Sequence, residues 1–219
     1  TGGYYPRADY RHNRLGFSRG VLRVNTPNKL TVIRIILSPL FLVVMMWDFP
    51  FHYLLSGLIF GAAAFTDMLD GKIARSQGLV TNFGKFLDPL ADKMLTTAAF
   101  LGFLVGGHIN VWAVMLILTR EFMVTSVRLI AAKDGVVVAA SFAGKTKTVA
   151  QFVSILFMLA ALEFSTWQTT LLSGIAIPAQ LFSILLIIGQ VLIWISVILT
   201  VYSGFEYVWE LRHYFTDSK

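Results

Sequence analysis

The chain has 219 residues, a mean hydropathy of +0.71, 56% apolar and 14% charged residues, and no cysteine. Soluble domains carry about 25% charged and about 45–50% apolar residues. This composition therefore excludes an ordinary soluble domain and a disordered chain, and the missing cysteine excludes disulfides, thiolate zinc sites and cysteine nucleophiles. The formal net charge of +6 reads as basic flanks facing anionic lipid headgroups, with no nucleic-acid partner.

Residues 1–24 are polar, aromatic and Arg-rich, and they lack the apolar h-region of a signal peptide. They read as a flexible N-terminal tail or a fusion-derived segment. Residues 25–219 read as one domain, long enough for about six spans at roughly 20 residues each. The apolar runs follow in order: Leu30–Trp47, ended by Asp48-Phe49-Pro50; Phe51–Phe65, whose helix continues into the polar stretch behind it; and Asp88–Val105, ended by Gly106-Gly107. Val111–Ala132, Thr148–Leu162 and Ile177–Tyr202 complete the set, the last with a helical tail toward Arg212.

Charge sets the orientation. Asp48 is alone between the first two runs, Gly106–Asn110 carries no charge, and Glu163 is alone between the fifth and sixth. All 18 Lys and Arg fall in the other connections, in the two flanks, or on helix segments beside them. The expectation is an all-α integral membrane protein with six transmembrane helices and both termini cytoplasmic. Five spans would put some basic loops outside. Glu163 reads as a solvated loop residue, His52 and His108 as interfacial groups, Met45-Met46 as packing, and most Trp and Phe as lipid-facing or belt residues.

One polar stretch stands out: Asp67-Met-Leu-Asp70-Gly71-Lys-Ile-Ala74-Arg75, then Gly84-Lys-Phe-Leu-Asp88-Pro-Leu-Ala-Asp92-Lys93. Asp67 and Asp70 are i,i+3, and Asp88 and Asp92 are i,i+4, so each pair shares a helix face. Two antiparallel helices joined by a short turn containing Gly78, Asn82 and Gly84 would point four carboxylates at one another. An uncompensated Asp at membrane depth costs about 2.5–3.5 kcal/mol. Divalent cations resolve the repulsion, and an all-oxygen donor set suits Mg²⁺ or Mn²⁺. Four carboxylates suffice for two ions, a clamp used in phosphoryl chemistry. Gly71 and Gly84 allow close approach of a ligand or backbone, and Ala74 leaves room for a flat group. Pro89 suits a third helix that begins only a residue or two earlier. A solvated loop has no reason for this spacing. An ion or proton transporter would favour midplane sites in repeated halves, and no repeat is visible.

A second cluster is basic. Arg34 lies in the first run; Arg120 and Glu121 interrupt the fourth, with Arg128 two turns beyond Arg120; and Gly144-Lys145-Thr-Lys147-Thr148 opens the fifth. Buried Arg needs an anionic partner, and Glu121 can neutralise only one. Snorkelling could explain Arg120 alone. An anion pocket better explains Arg34, Arg120, Arg128, Lys145 and Lys147 together, with free N–H groups at the start of the fifth helix as additional donors. A ligand of that pocket would then carry a phosphate.

The pattern D-x-x-D-G-x-x-A-R-x8-G-x-x-x-D-x-x-x-D resembles the signature of the CDP-alcohol phosphotransferases, and this chain matches each fixed position. The resemblance implies a six-helix membrane fold, usually a homodimer, that moves a phosphatidyl or related group from a CDP-linked donor to an alcohol and releases CMP. It implies that Asp67, Asp70, Asp88 and Asp92 hold two divalent cations, with Asp92 also the catalytic base. Asp67, Asp70, Gly71, Ala74, Arg75 and Gly84 would hold the CDP donor. Asn25–Arg34 with Pro39, Arg120-Glu121-x3-Thr125-x2-Arg128, and Gly144–Thr148 with Gln151 are similar to the bacterial phosphatidylglycerophosphate-synthase branch. That implies CDP-diacylglycerol as donor and sn-glycerol 3-phosphate as acceptor, in a bacterial cytoplasmic membrane with the active site on the cytoplasmic side. The acceptor-phosphate set would be Thr31, Arg34, Arg120, Arg128, Lys145 and Lys147. Other acceptors of the family (inositol phosphate, serine, phosphatidylglycerol) remain the alternatives. Residues 1–24 have no counterpart in the resemblance.

Overall fold

A computed structural model describes residues 26–77, 82–133, 141–170 and 178–216; for 67–77, 82–89, 92 and some helix-end residues it describes the backbone only. Residues 1–24, read above as a tail, lie outside the described residues. The described chain forms α1 Thr26–Met46, α2 His52–Gln77, α3 Asn82–Val105, α4 Val111–Lys133, α5 Phe142–Thr170 and α6 Ala179–Thr216. Thr and Pro suit the first positions of α1. Pro39 sits inside that helix and leaves the Ile35 carbonyl without its usual donor.

The helix ends follow from local chemistry. α3 stops in a Schellman arrangement: Gly107 takes φ +73°, its N–H reaches the Leu104 carbonyl at 3.0 Å, and the His108 N–H reaches that of Phe103 at 2.8 Å. Asn110 caps α4 through Oδ1, which accepts from the Trp112 N–H at 2.9 Å. Phe51 enters α2 at φ 68°, a region rare for a bulky side chain, with its ring edge-on to Trp167 at 6.4 Å.

Three boundaries differ from expectation. α3 begins at Asn82, so Asn82 and Gly84 lie in the helix and not in a turn, and Pro89 falls past its second turn. Asn is a good helix-start residue, and Pro89 removes only one intrahelical bond. α5 begins at Phe142 because Ser141 Oγ accepts from the Gly144 N–H at 3.1 Å. That N–H, counted above as open to an anion, is occupied by the cap. α5 also runs to Thr170, which corrects the reading of Glu163. It is a helical residue only 3% exposed. Its carboxylate accepts from the Leu54 N–H at 2.9 Å and from Trp167 Nε1 at 2.6 Å. An acid on α5 thus satisfies a free N–H in the first turn of α2, where the helix dipole favours negative charge.

α1 packs against α2 and α3, α6 against α5 and α4, and α2 against α5 joins the two groups. The centre is filled by Phe41, Phe60, Phe100, Phe103, Ile155, Met158 and Ile193. Phe60 bridges Phe41 and Phe152 at ring distances of 5.9 and 5.4 Å. Met45 packs where Gly102 leaves room; a Cβ there would lie 2.6 Å from its Sδ. Outside, large apolar side chains such as Trp47, Leu58, Trp112, Phe142, Ile198 and Phe205 are exposed. Phe142–Trp167 and Gln180–Trp209 are long and apolar enough to cross a membrane, whereas Thr31–Met46, His52–Thr66 and Lys93–Val105 are shorter apolar segments.

Candidate active site

By backbone register, Asp67 and Asp70 lie one turn apart in the C-terminal half of α2, and Asp88 and Asp92 one turn apart in the N-terminal half of α3. Gly71, Ala74 and Arg75 follow on α2, and Gly84 lies in the first turn of α3. The side chains of all eight lie outside the described residues. The donor set fits a hard divalent cation by its chemistry: carboxylate oxygens only, in helical register, with no sulfur. Among the described residues no group of three or more His, Cys, Asp or Glu could hold a metal.

The basic residues are described in full. A cavity of about 520 Å³ opens between α3, α4 and α5, lined by Lys93, Thr96, Arg120, Glu121, Arg128, Lys145 and Lys147, with Thr125 and Gln151 among its polar walls and Val124 and Phe152 among its apolar ones. Thr96 is i+4 from Asp92 and i+8 from Asp88, so the α3 face that carries those aspartates continues into the cavity wall. The two halves of the polar cluster thus meet along one helix.

Glu121 is the hub. Its carboxylate pairs with Lys147 Nζ, lies 3.4 Å from Arg120 Nη1 and 3.7 Å from Lys93 Nζ, and its main-chain carbonyl accepts from Lys93 Nζ at 3.0 Å. One acid therefore ties together α3, α4 and α5. Arg120 is buried and donates from Nη2 to Ser203 Oγ at 2.6 Å; its Nε is buried without a hydrogen-bond partner among the described residues. Burial against α6 replaces the snorkelling considered for it. Arg128 donates from Nε to Tyr207 Oη at 3.0 Å, with its guanidinium 5.2 Å from the centre of that ring. Lys145 is exposed at the cavity.

The cavity therefore gathers Arg120, Arg128, Lys145 and Lys147 of the six residues named for an acceptor phosphate. Thr31 and Arg34, 1% and 2% exposed, lie on α1 and are not among its lining residues. Sequence reasoning passed over Glu121 as hub, Lys93 and Thr96 on the α3 wall, and Ser203, Gly204 and Tyr207 behind the arginines. The signal for Glu121 was present: it stands beside Arg120 inside an apolar run, and between Arg120 and Lys147 five cations face two acids, Glu121 and Asp134. Nothing in the sequence pairs α6 with α4.

The helices and the cavity define an all-helical protein with an apolar exterior and a polybasic interior site. A family model described as CDP-alcohol phosphatidyltransferase matches residues 24–202, and the chain belongs to that family of transferases. It is 38% identical over 195 residues to a CDP-diacylglycerol–glycerol-3-phosphate 3-phosphatidyltransferase of Bacillus subtilis (strain 168), covering 84% of this chain and 93% of that one. It is 34% identical over 191 residues to the protein of the same name from Rickettsia bellii (strain RML369-C), covering 87% and 97%. Among solved structures it resembles the apo crystal structure of a Mycobacterium tuberculosis phosphatidylinositol phosphate synthase. The TM-score is 0.53 at 22% identity, over 87% of this chain and 93% of that chain, a likeness of fold.

Proposed function

We propose that this chain transfers the phosphatidyl group from CDP-diacylglycerol to sn-glycerol 3-phosphate, giving phosphatidylglycerophosphate and CMP. Relatives of that name are similar over most of the chain. The observation that supports the reading most is the shared wall of the cavity: Thr96, in register with Asp88 and Asp92, borders the same space as Arg128, Lys145 and Lys147.

Asp92 takes the proton from the glycerol primary hydroxyl. The oxygen attacks the lipid-side phosphorus of the diphosphate, the bond to the bridging oxygen breaks, and that oxygen leaves on CMP. Asp67, Asp70, Asp88 and Asp92 would hold two divalent cations, Mg²⁺ or Mn²⁺, which when bound neutralise charge on the diphosphate and on departing CMP. Gly71, Ala74, Arg75 and Gly84 cradle the cytidine diphosphate, together with Asp67 and Asp70. Arg128 and Lys145 offer donors to the acceptor phosphate, while Arg120 and Lys147 add charge from positions held by Ser203 and Glu121. Thr31 and Arg34 lie on α1, which packs on α2 and α3, and neither lines the cavity, so the acceptor-phosphate set reduces to Arg120, Arg128, Lys145 and Lys147. Much of the rate then comes from orientation of the two substrates.

The same proposal places the six helices across a bacterial cytoplasmic membrane, termini and site on the cytoplasmic side, in a homodimer. The test is CMP release by purified protein in mixed micelles of CDP-diacylglycerol, with glycerol 3-phosphate, inositol phosphate, serine or phosphatidylglycerol as acceptor. Turnover with glycerol 3-phosphate alone supports the reading; preference for another acceptor overturns it. Ion flux into liposomes without nucleotide would mark a transporter instead.

A further inference from the structure

We infer that α6 carries a positioning surface for the acceptor site, in which Tyr207 sets the orientation of Arg128 while Ser203 and Gly204 set that of Arg120. The inference rests on the proposal that this cavity binds the acceptor's phosphate.

Arg120 and Arg128 are two turns apart on one face of α4, and α4 packs against α6. Ser203, Gly204 and Tyr207 occupy i, i+1 and i+4 of α6, and Ser203 and Tyr207 are 0% and 2% exposed. None of the three lines the cavity, so they act through the arginines. A long, mobile guanidinium side chain loses about 2 kcal/mol of rotamer entropy when fixed, and a fixed partner behind it removes that cost from substrate binding.

The Tyr207 hydroxyl accepts from Arg128 Nε, and its ring lies beside the guanidinium. The hydrogen bond occupies Nε, and the guanidinium carbon lies over the ring. The two terminal nitrogens make no hydrogen bond among the described residues, and Arg128 lines the cavity, so the pair is available for bidentate capture of a phosphate. Arg120 is held differently. Ser203 Oγ takes Nη2, Glu121 takes Nη1, and the stem lies over Gly204, where a Cβ would stand 2.7 Å from Arg120 Cγ. Only a residue without a side chain lets that stem cross α6 at this height. Arg120 thus contributes fixed charge, and Arg128 is the arginine free to grip.

The experiment is a double-mutant cycle on purified protein, with KM for glycerol 3-phosphate and for CDP-diacylglycerol measured separately. Tyr207→Phe keeps the buried ring and removes the acceptor of one charge-assisted bond. It should raise KM for glycerol 3-phosphate about 3- to 10-fold, the scale of one hydrogen bond, with KM for the lipid donor unchanged. In an Arg128→Ala background Tyr207→Phe should have no further effect, read by KM or by thermal stabilisation with glycerol 3-phosphate. Gly204→Ala should also weaken the acceptor and spare the donor. An unchanged acceptor KM in Tyr207→Phe, or an equal loss with and without Arg128, overturns the inference. Wild-type protein that turns over a different acceptor would instead overturn the proposed function.

Discussion

Replacing Glu121 by Gln removes the acid that, among the described residues, lines the cation cavity, while keeping its size. The Glu121 and Lys147 side chains are 14% and 8% exposed, so Lys147 is left as a nearly buried ammonium facing Arg120 and Lys93 without the carboxylate that pairs with it among the described residues. Breaking a fully buried pair costs about 3–5 kcal/mol. The cavity lets water reach part of this group, so the expected cost is about 2 kcal/mol, or roughly 4–8 °C of thermal midpoint for a chain of this length. An added anion can take the place of the missing carboxylate. Glycerol 3-phosphate should therefore raise the midpoint of Glu121→Gln more than that of wild type. The assay is tryptophan-fluorescence melting in detergent across a series of glycerol 3-phosphate concentrations. A variant that melts with wild type and shows the same ligand shift would refute the assignment of Glu121 as the counter-charge of this cavity.

Asp92→Asn should abolish CMP release while the protein still inserts into membranes. EDTA should stop turnover of the wild type and Mg²⁺ or Mn²⁺ should restore it; normal turnover after exhaustive chelation would remove the metal proposal. Arg128→Ala should raise KM for glycerol 3-phosphate far more than KM for CDP-diacylglycerol, and equal effects on both would argue against a dedicated phosphate subsite. Glu163→Ala deletes the acceptor of the Leu54 N–H and of Trp167 Nε1. It should cost about 2–3 kcal/mol of stability and lower the melting midpoint with kcat and both KM values unchanged, since Glu163 and the cavity lie toward opposite ends of α5; a melt identical to wild type would contradict the cap.

The spacing of Asp67, Asp70, Asp88 and Asp92 was legible because helical register is a local property: 3.6 residues per turn puts i+3 and i+4 on one face whatever surrounds the helix. The six helices were legible for the same reason, since runs such as Val111–Ala132 and Ile177–Tyr202 are apolar by composition. Their ends were less so. Ser141 starts α5 six residues before its apolar run, because a cap acts through hydrogen bonds that hydropathy does not register. Glu163 was misread because α5 continues beyond Leu162 and the partner of that acid is the start of another helix.

What the residues determined unaided is the class of chemistry: carboxylates in register, a surplus of cations, and a family signature over the helical pair that carries the carboxylates. What only the tertiary structure decided is which cations share a space and what holds them. Lys147 meets Glu121, Arg120 meets Ser203 and Arg128 meets Tyr207 across 26, 83 and 79 residues of chain, while Arg34 sits on a helix that packs elsewhere. Contacts at such separations depend on how α3, α4, α5 and α6 pack side by side. That packing is set by the summed burial of many apolar side chains, a quantity no single motif encodes.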